Sequence, residues 1–388
     1  MIAYNINSLD NIYIHQQVDE ALHEKCIEKE EMDTCKKHYL IGFYMPNFFI
    51  RLGLFLLTII IFIFTFGFFA LLFFSTGSTD TSFGVMCVFF GLIAYGALEF
   101  MIRKNHFRSG VDDALLWITA TLIVAGLNLA TGISSLGNVV LIFIIAFYLS
   151  LRFIDAVMSA VSCLACLAVF FFSYTKMGPA AKASVPFLIM ITSAIIYFLT
   201  NKEAGRDKFL HYANCFLLIK ISALLCFYLA ANYYVVREMS NAMFDLQLKE
   251  GESIPFGWIF WILTILIPLI YIARGIQKRD PVLLRVGLVL IAAIIFTVRY
   301  YYHILPLEIA MITGGIIMIG IAYVFIQYLK KPKYGFSSSE SGVYDFMNIT
   351  QVESIIISEI GGPVQQPAIP QTKFGGGSGG GGGAGGEF

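Results

Sequence analysis

Charge is what this sequence has least of. Asp, Glu, Lys and Arg make up 13% of 388 residues against 58% hydrophobic residues, and the mean hydropathy is +0.76. So few polar side chains cannot cover a soluble globule, which excludes a water-soluble domain and implies an integral membrane protein. The few charges cancel, 26 basic against 26 acidic, so no global field draws nucleic acid and information lies in their positions. Cysteine gives no secreted disulfide framework: of seven, Cys87, Cys163, Cys166, Cys215 and Cys226 fall inside apolar runs. Ahead of the glycine-rich end there is no HExxH, GxSxG, P-loop or dinucleotide-binding turn, so no intramembrane enzyme and no cofactor or metal is expected. A cleavable signal peptide is also missing, because the first forty or so residues are polar and of mixed charge.

What is present is a succession of hydrophobic runs. Crossing a bilayer takes about 20 apolar residues, and ten runs approach or meet that length: 52–74, 83–102, 114–130, 133–151, 153–173, 183–200, 213–236, 256–273, 281–302 and 305–329. Proline seldom interrupts them, Pro268 being the clearest case. The fold class expected is all-α, a polytopic transmembrane helix bundle of about ten spans.

Orientation follows from the connections that carry Lys and Arg. Every second connection, with both ends, holds Lys36, Lys37, Arg51, Arg103, Lys104, Arg108, Arg152, Lys202, Arg206, Lys208, Arg274, Lys278, Arg279, Lys330, Lys331 and Lys333. The alternating set holds only Lys176, Lys182, Arg237 and Lys249. Both termini are therefore expected in the cytoplasm. The basic turns repeat one grammar, an arginine shortly followed by aspartate: Arg108 with Asp112 and Asp113, Arg152 with Asp155, Arg206 with Asp207, Arg279 with Asp280. Such an aspartate can accept from the free N–H groups of the next helix while the arginine stays at the headgroups. No five-plus-five repeat is evident, so the internal symmetry of many transporters is not indicated.

Three regions follow: 1–51, a cytoplasmic helix plus interfacial segment; 52–329, the bundle; and 330–388, a flexible cytoplasmic tail. The N-terminal helix is expected as one continuous stretch from Asp19 to about His38, because that run lacks glycine and proline. Within it, His23, Cys26, Cys35 and His38 have zinc-like spacing, but on one helix Cys26 and Cys35 face apart, roughly 13 Å along the axis. YLIGFYMPNFF then suits a segment lying in the interface. The tail has one apolar patch, Ile355 to Ile357, then a proline-rich stretch and FGGGSGGGGGAGGEF. That ending resembles tails closing some bacterial TPM-domain membrane proteins, over about fifteen low-complexity residues and without implying an activity. An appended linker ending in Glu387 and Phe388 is the alternative.

Intramembrane charge marks the candidate functional residues. Glu99, Lys220 and Arg285 lie at comparable depth near the cytoplasmic side and are candidates for one inner polar cluster. Arg299 and Glu308 flank the outer turn after Tyr300, Tyr301 and Tyr302, at matching level, and read first as a hairpin clamp and second as a gate. CLAC at Cys163–Cys166 sits among Ala156, Ser159, Ala160, Ser162 and Ala165, a small-residue pattern suited to close helix packing. Two functions remain. One is a membrane scaffold, sensor or assembly factor with cytoplasmic partner-binding ends; the alternative is a small-solute or ion transporter or channel using the buried charges. The partners expected are the lipid bilayer and a cytoplasmic protein engaged through the tail, with no nucleic acid, and the expected location is the plasma membrane, the inner membrane in a bacterium.

Overall fold

A computed structural model of the chain describes residues 2–23, 26–74, 79–244, 253–254, 256–278 and 280–302, with isolated positions between 312 and 327. These belong to one compact unit, Met1–Tyr344, and residues 345–388 lie outside the described residues. The tail, Glu308 and, apart from the isolated positions, the expected span 305–329 therefore lie outside the described residues.

Two helices open the chain, α1 (Ile6–His23) and α2 (Lys29–His38). They are followed by α3 (Phe48–Phe74), α4 (Asp80–Arg103), α5 (Val111–Thr131), α6 (Ser135–Phe153), α7 (Ala156–Thr175), α8 (Pro179–Glu203), α9 (Ala213–Ala231), α10 (Tyr233–Phe244), α11 (Gly257–Lys278) and α12 (Pro281–Tyr302). Among the described residues nine helices are long and apolar enough to cross a membrane, α3 to α9 with α11 and α12, so the protein is an all-α multi-pass helical bundle. Their outer surfaces are hydrophobic, with Phe64 and Leu71 of α3 among the most exposed side chains, as lipid-facing helices require.

The most extensively packed neighbours are α4 with α5, α6 with α7, α8 with α9 and α11 with α12. Each pair is joined by one of the Arg/Asp turns. Asp155 accepts from the backbone N–H of Met158 at 2.6 Å, and Asp280 accepts from those of Val282 and Leu283 at 3.1 and 3.3 Å. Asp112 instead turns back to the N–H and hydroxyl of Ser109, at 2.8 and 3.0 Å. These carboxylates thus satisfy donors that hydrocarbon would leave bare.

Backbone contact holds the pairs together, since lipid provides no hydrophobic gain for burying one apolar helix against another. A Cβ on Gly84 of α4 would stand 2.5 Å from the backbone nitrogen of Ala130, and one on Gly126 of α5 would stand 2.7 Å from the Gly84 carbonyl. In α7, Ser159, Ser162, Cys163 and Ala165 are buried, and the Ser159 hydroxyl donates to the Cys215 carbonyl of α9 at 3.1 Å. Gly110, which precedes α5 with φ +92°, meets backbone most closely, with the Arg51 carbonyl oxygen 2.1 Å from where a Cβ would be. Gly110→Ala is expected to destabilise by about 2–4 kcal/mol, adding a left-handed penalty to an overpacked contact. Chemical unfolding in detergent checks it.

Three sequence expectations change. The N-terminal helix is two helices: Glu28 caps α2 in a reciprocal capping box with Glu31, which starts a new helix without glycine or proline. Lys36 pairs with Asp19 across the two helices, and His15 and Asn11 bond the carbonyls of Tyr39 and Leu40. The seventh span ends at Ala231 and not Val236, because Asn232 is extended and the chain restarts as α10. The Asn232 side chain bonds Tyr228 and Thr297, and the Tyr233 N–H donates to Thr264 (all near 3 Å), so tertiary partners replace the helix bonds lost at the break. Finally, α3 begins at Phe48, which places Arg51 inside the helix.

Candidate functional site

The basic turns and the N-terminal region converge on one face. The first residues are polar overall, yet Tyr4 and Leu9 are buried with Phe43, Phe107, Phe153 and Ile154. Tyr4 stands edge-on to Phe107 and Phe43, with centroids 4.9 and 6.0 Å away. The Ala3 N–H donates to the Arg152 carbonyl at 2.9 Å, and His211 lies 3.3 Å from Asp10. The interfacial segment is fixed too: the N–H of Tyr44 donates to the Asn105 carbonyl at 2.8 Å, and Phe107 donates back to the Tyr44 carbonyl. The N-terminal hairpin is thus attached to the turns 104–110 and 150–155 and to the start of α9.

Under Tyr4 lies a cavity of about 20 Å³, lined also by Arg108, Asp112, Asp113 and Asp155, which is room for one water. Asp113 pairs with Arg51 of α3 at 2.7 Å. Burial first, and then the nearby Asp112, Asp113 and Asp155, push the Tyr4 hydroxyl well above its ordinary range, so Tyr4 remains neutral. Burial also raises Asp155, against the lowering effect of its bond from Met158. A carboxyl raised in the folded state contributes stability that is complete below the unfolded value, near pH 4, and is lost as pH rises through the folded one. Asp155→Asn keeps a helix cap and removes the charge. It is expected to be more stable than wild type at neutral pH and equal to it in acid, as unfolding midpoints across that range would report.

The five intramembrane candidates separate. Glu99 accepts from Arg152 Nε at 2.6 Å and from the Tyr95 hydroxyl at 2.9 Å, and Tyr95 in turn meets Tyr148 at 2.8 Å. Lys220 pairs with Asp280 at 2.6 Å, donates to Asn201 at 3.1 Å and lies over the Tyr197 ring. Glu99 and Lys220 therefore sit in two separate networks. Arg285 lies on the exposed side of α12. Arg299 is half-buried in the last turn of α12, its Nε without a hydrogen-bond partner among the described residues, and Glu308 lies outside them.

Sequence reading did not single out Tyr4, the Arg51–Asp113 pair or Asn232. Arg51 and Asp113 are 62 residues apart, and no local pattern joins them. Leu9 and Ile12 did carry a signal, being apolar and three residues apart in a polar stretch, whereas Tyr4 precedes α1 and carries none. At the other membrane face Arg237 lies over the Tyr301 ring, 5.3 Å from its centroid, within a cluster that includes Tyr233 and Trp261. Among the described residues no group of three or more His, Cys, Asp or Glu is arranged to hold a metal ion. Comparison with protein-family models, with curated proteins and with solved structures returns no match.

Proposed function

We propose that the protein is a multi-pass membrane scaffold that presents its N-terminal hairpin to a cytoplasmic protein. The observation that carries this reading is the attachment of α1 to the basic turns through Tyr4, Ala3 and Asp10, while α2 buries no residue. A helix held in place with its surface free is preorganised for a partner, because the cost of ordering it has been met within the chain. The exposed Glu28, Glu30, Glu31 and Asp33 make its first half acidic, which suits a partner with a basic patch. The basic side is cytoplasmic by the distribution of Lys and Arg, and the plasma membrane is the location that fits this reading. The tail, residues 330–388, is a second contact for the same partner.

The transporter reading draws on the intramembrane charges. Glu99 and Lys220 each have a counter-ion within 2.6 Å, which favours a structural use of both. Cross-linking in intact host membranes separates the two readings. Scaffolding predicts one protein cross-linked at Lys29 and Lys37, lost with Glu30→Lys/Asp33→Lys and weakened by deleting residues 335–388. Unchanged cross-links in the charge-reversed variant, together with solute flux in proteoliposomes that Lys220→Met abolishes, would replace scaffolding by transport.

A further inference from the structure

At the face away from the basic turns, a pocket of about 210 Å³ opens between α7, α8, α9 and α10, lined by Phe171, Pro186, Ile189, Ala230, Met239 and Met243 among others. Water does not suit this space, because a buried water needs two to four polar partners and the Ser240 hydroxyl is the main side-chain polar group in the lining. Left empty, it would deny the lining its dispersion contacts on one side. Hydrocarbon suits it, and the two methionines give a wall that adapts to a flexible chain.

The rim supplies the complementary charge. Lys182, Val185, Pro186 and Ile189 share one face of α8 by their i, i+3, i+4, i+7 spacing. Lys182 is the one nearest the helix start and so nearest the membrane surface. Its ammonium lies 3.4 Å from the carbonyl of Met243, a lining residue, and 6.0 Å from the Phe244 ring centroid. Among the described residues no carboxylate pairs with it. A lysine ammonium is a point-charge binder of phosphate, one helical turn above the apolar walls, where the headgroup of an entering chain would be.

We propose that this pocket is a binding site for an acyl chain of a phospholipid from the adjoining leaflet, with the lipid phosphate held by Lys182. The site stands apart from the scaffold reading and survives its failure. The test places the full-length protein in phosphatidylethanolamine nanodiscs doped with phosphatidylglycerol that carries a diazirine near its chain end, followed by irradiation and peptide mapping. Cross-links are expected to concentrate on peptides containing Ile189 and Met239. Ala230→Phe and, independently, Ser240→Phe should each reduce them roughly tenfold, equivalent to about 1.4 kcal/mol, while cross-links on α3 stay constant as an internal reference for folding. Lys182→Gln should lower the phosphatidylglycerol signal to that of a matched diacylglycerol probe. Cross-links spread evenly over all lipid-facing helices, or insensitive to both filling variants, would overturn the site. Sensitivity to filling without any response to Lys182→Gln would overturn the phospholipid assignment in favour of an unselective hydrocarbon groove.

Discussion

Asp280→Ala is expected to destabilise the α9–α12 contact by about 3–5 kcal/mol, the range for breaking a largely buried ion pair from one side. Lys220 and Asp280 are 13% and 15% exposed, and their charged atoms are 2.6 Å apart. The same carboxylate caps α12 through Val282 and Leu283. Removing it leaves an ammonium among Leu224, Ile221 and Leu283 with Asn201 as its remaining polar partner, and frees two helix N–H groups in the same step. Lys220→Met/Asp280→Asn should recover most of the loss, because asparagine keeps the cap and no charge is left uncompensated. Guanidinium unfolding in detergent distinguishes these cases. If the double variant is as unstable as Asp280→Ala, the loss comes from something other than the pair.

Tyr4→Ala should act on the hairpin and leave the bundle intact. Truncating a buried aromatic typically costs about 3–5 kcal/mol, and Tyr4 is 8% exposed between Phe43 and Phe107. That loss falls on the docking of α1, because Tyr4 belongs to the segment that packs against the turns. Amide exchange in α1 and at Ala3 should accelerate strongly, while exchange within α4 and α5 stays at the wild-type level. Tyr4→Phe should be nearly silent, since the ring supplies the packing. Equal acceleration in α4 and α5 would instead make the hairpin an integral part of the bundle.

The spans were legible because hydrocarbon imposes a length and composition that few sequences meet by accident, and the basic turns were legible because charges there stand out against apolar runs. The Arg/Asp grammar also carried physical content, visible in the caps made by Asp155 and Asp280. Asn232 escaped notice because its break is written elsewhere: Thr264 and Thr297, on two other helices, provide the bonds that make an extended residue tolerable there. Pairing of the charges escaped for the same reason. Glu99 and Arg152 are 53 residues apart and Lys220 and Asp280 are 60 apart, so depth along a span was readable but the facing helix was not. The N-terminal hairpin shows the reverse error, where overall polarity hid the few apolar residues that dock it.

Glu99 and Lys220 each pair with a charged residue on a facing element, Arg152 and Asp280, and the scaffold proposal needs both pairs closed to water, with the N-terminal hairpin as the surface a partner meets. Hydroxyl-radical footprinting of the protein in nanodiscs tests it most directly, because labelling follows water at the side chain. Tyr95 donates to Glu99 and Tyr271 is buried in the cluster around Leu224, whereas Tyr39 and Tyr44 are exposed on the basic side. With both pairs closed to water, Tyr39 and Tyr44 should label strongly while Tyr95 and Tyr271 stay near background. Labelling of Tyr95 and Tyr271 at the level of Tyr44 would reveal a water-lined path through the charges and contradict that closure.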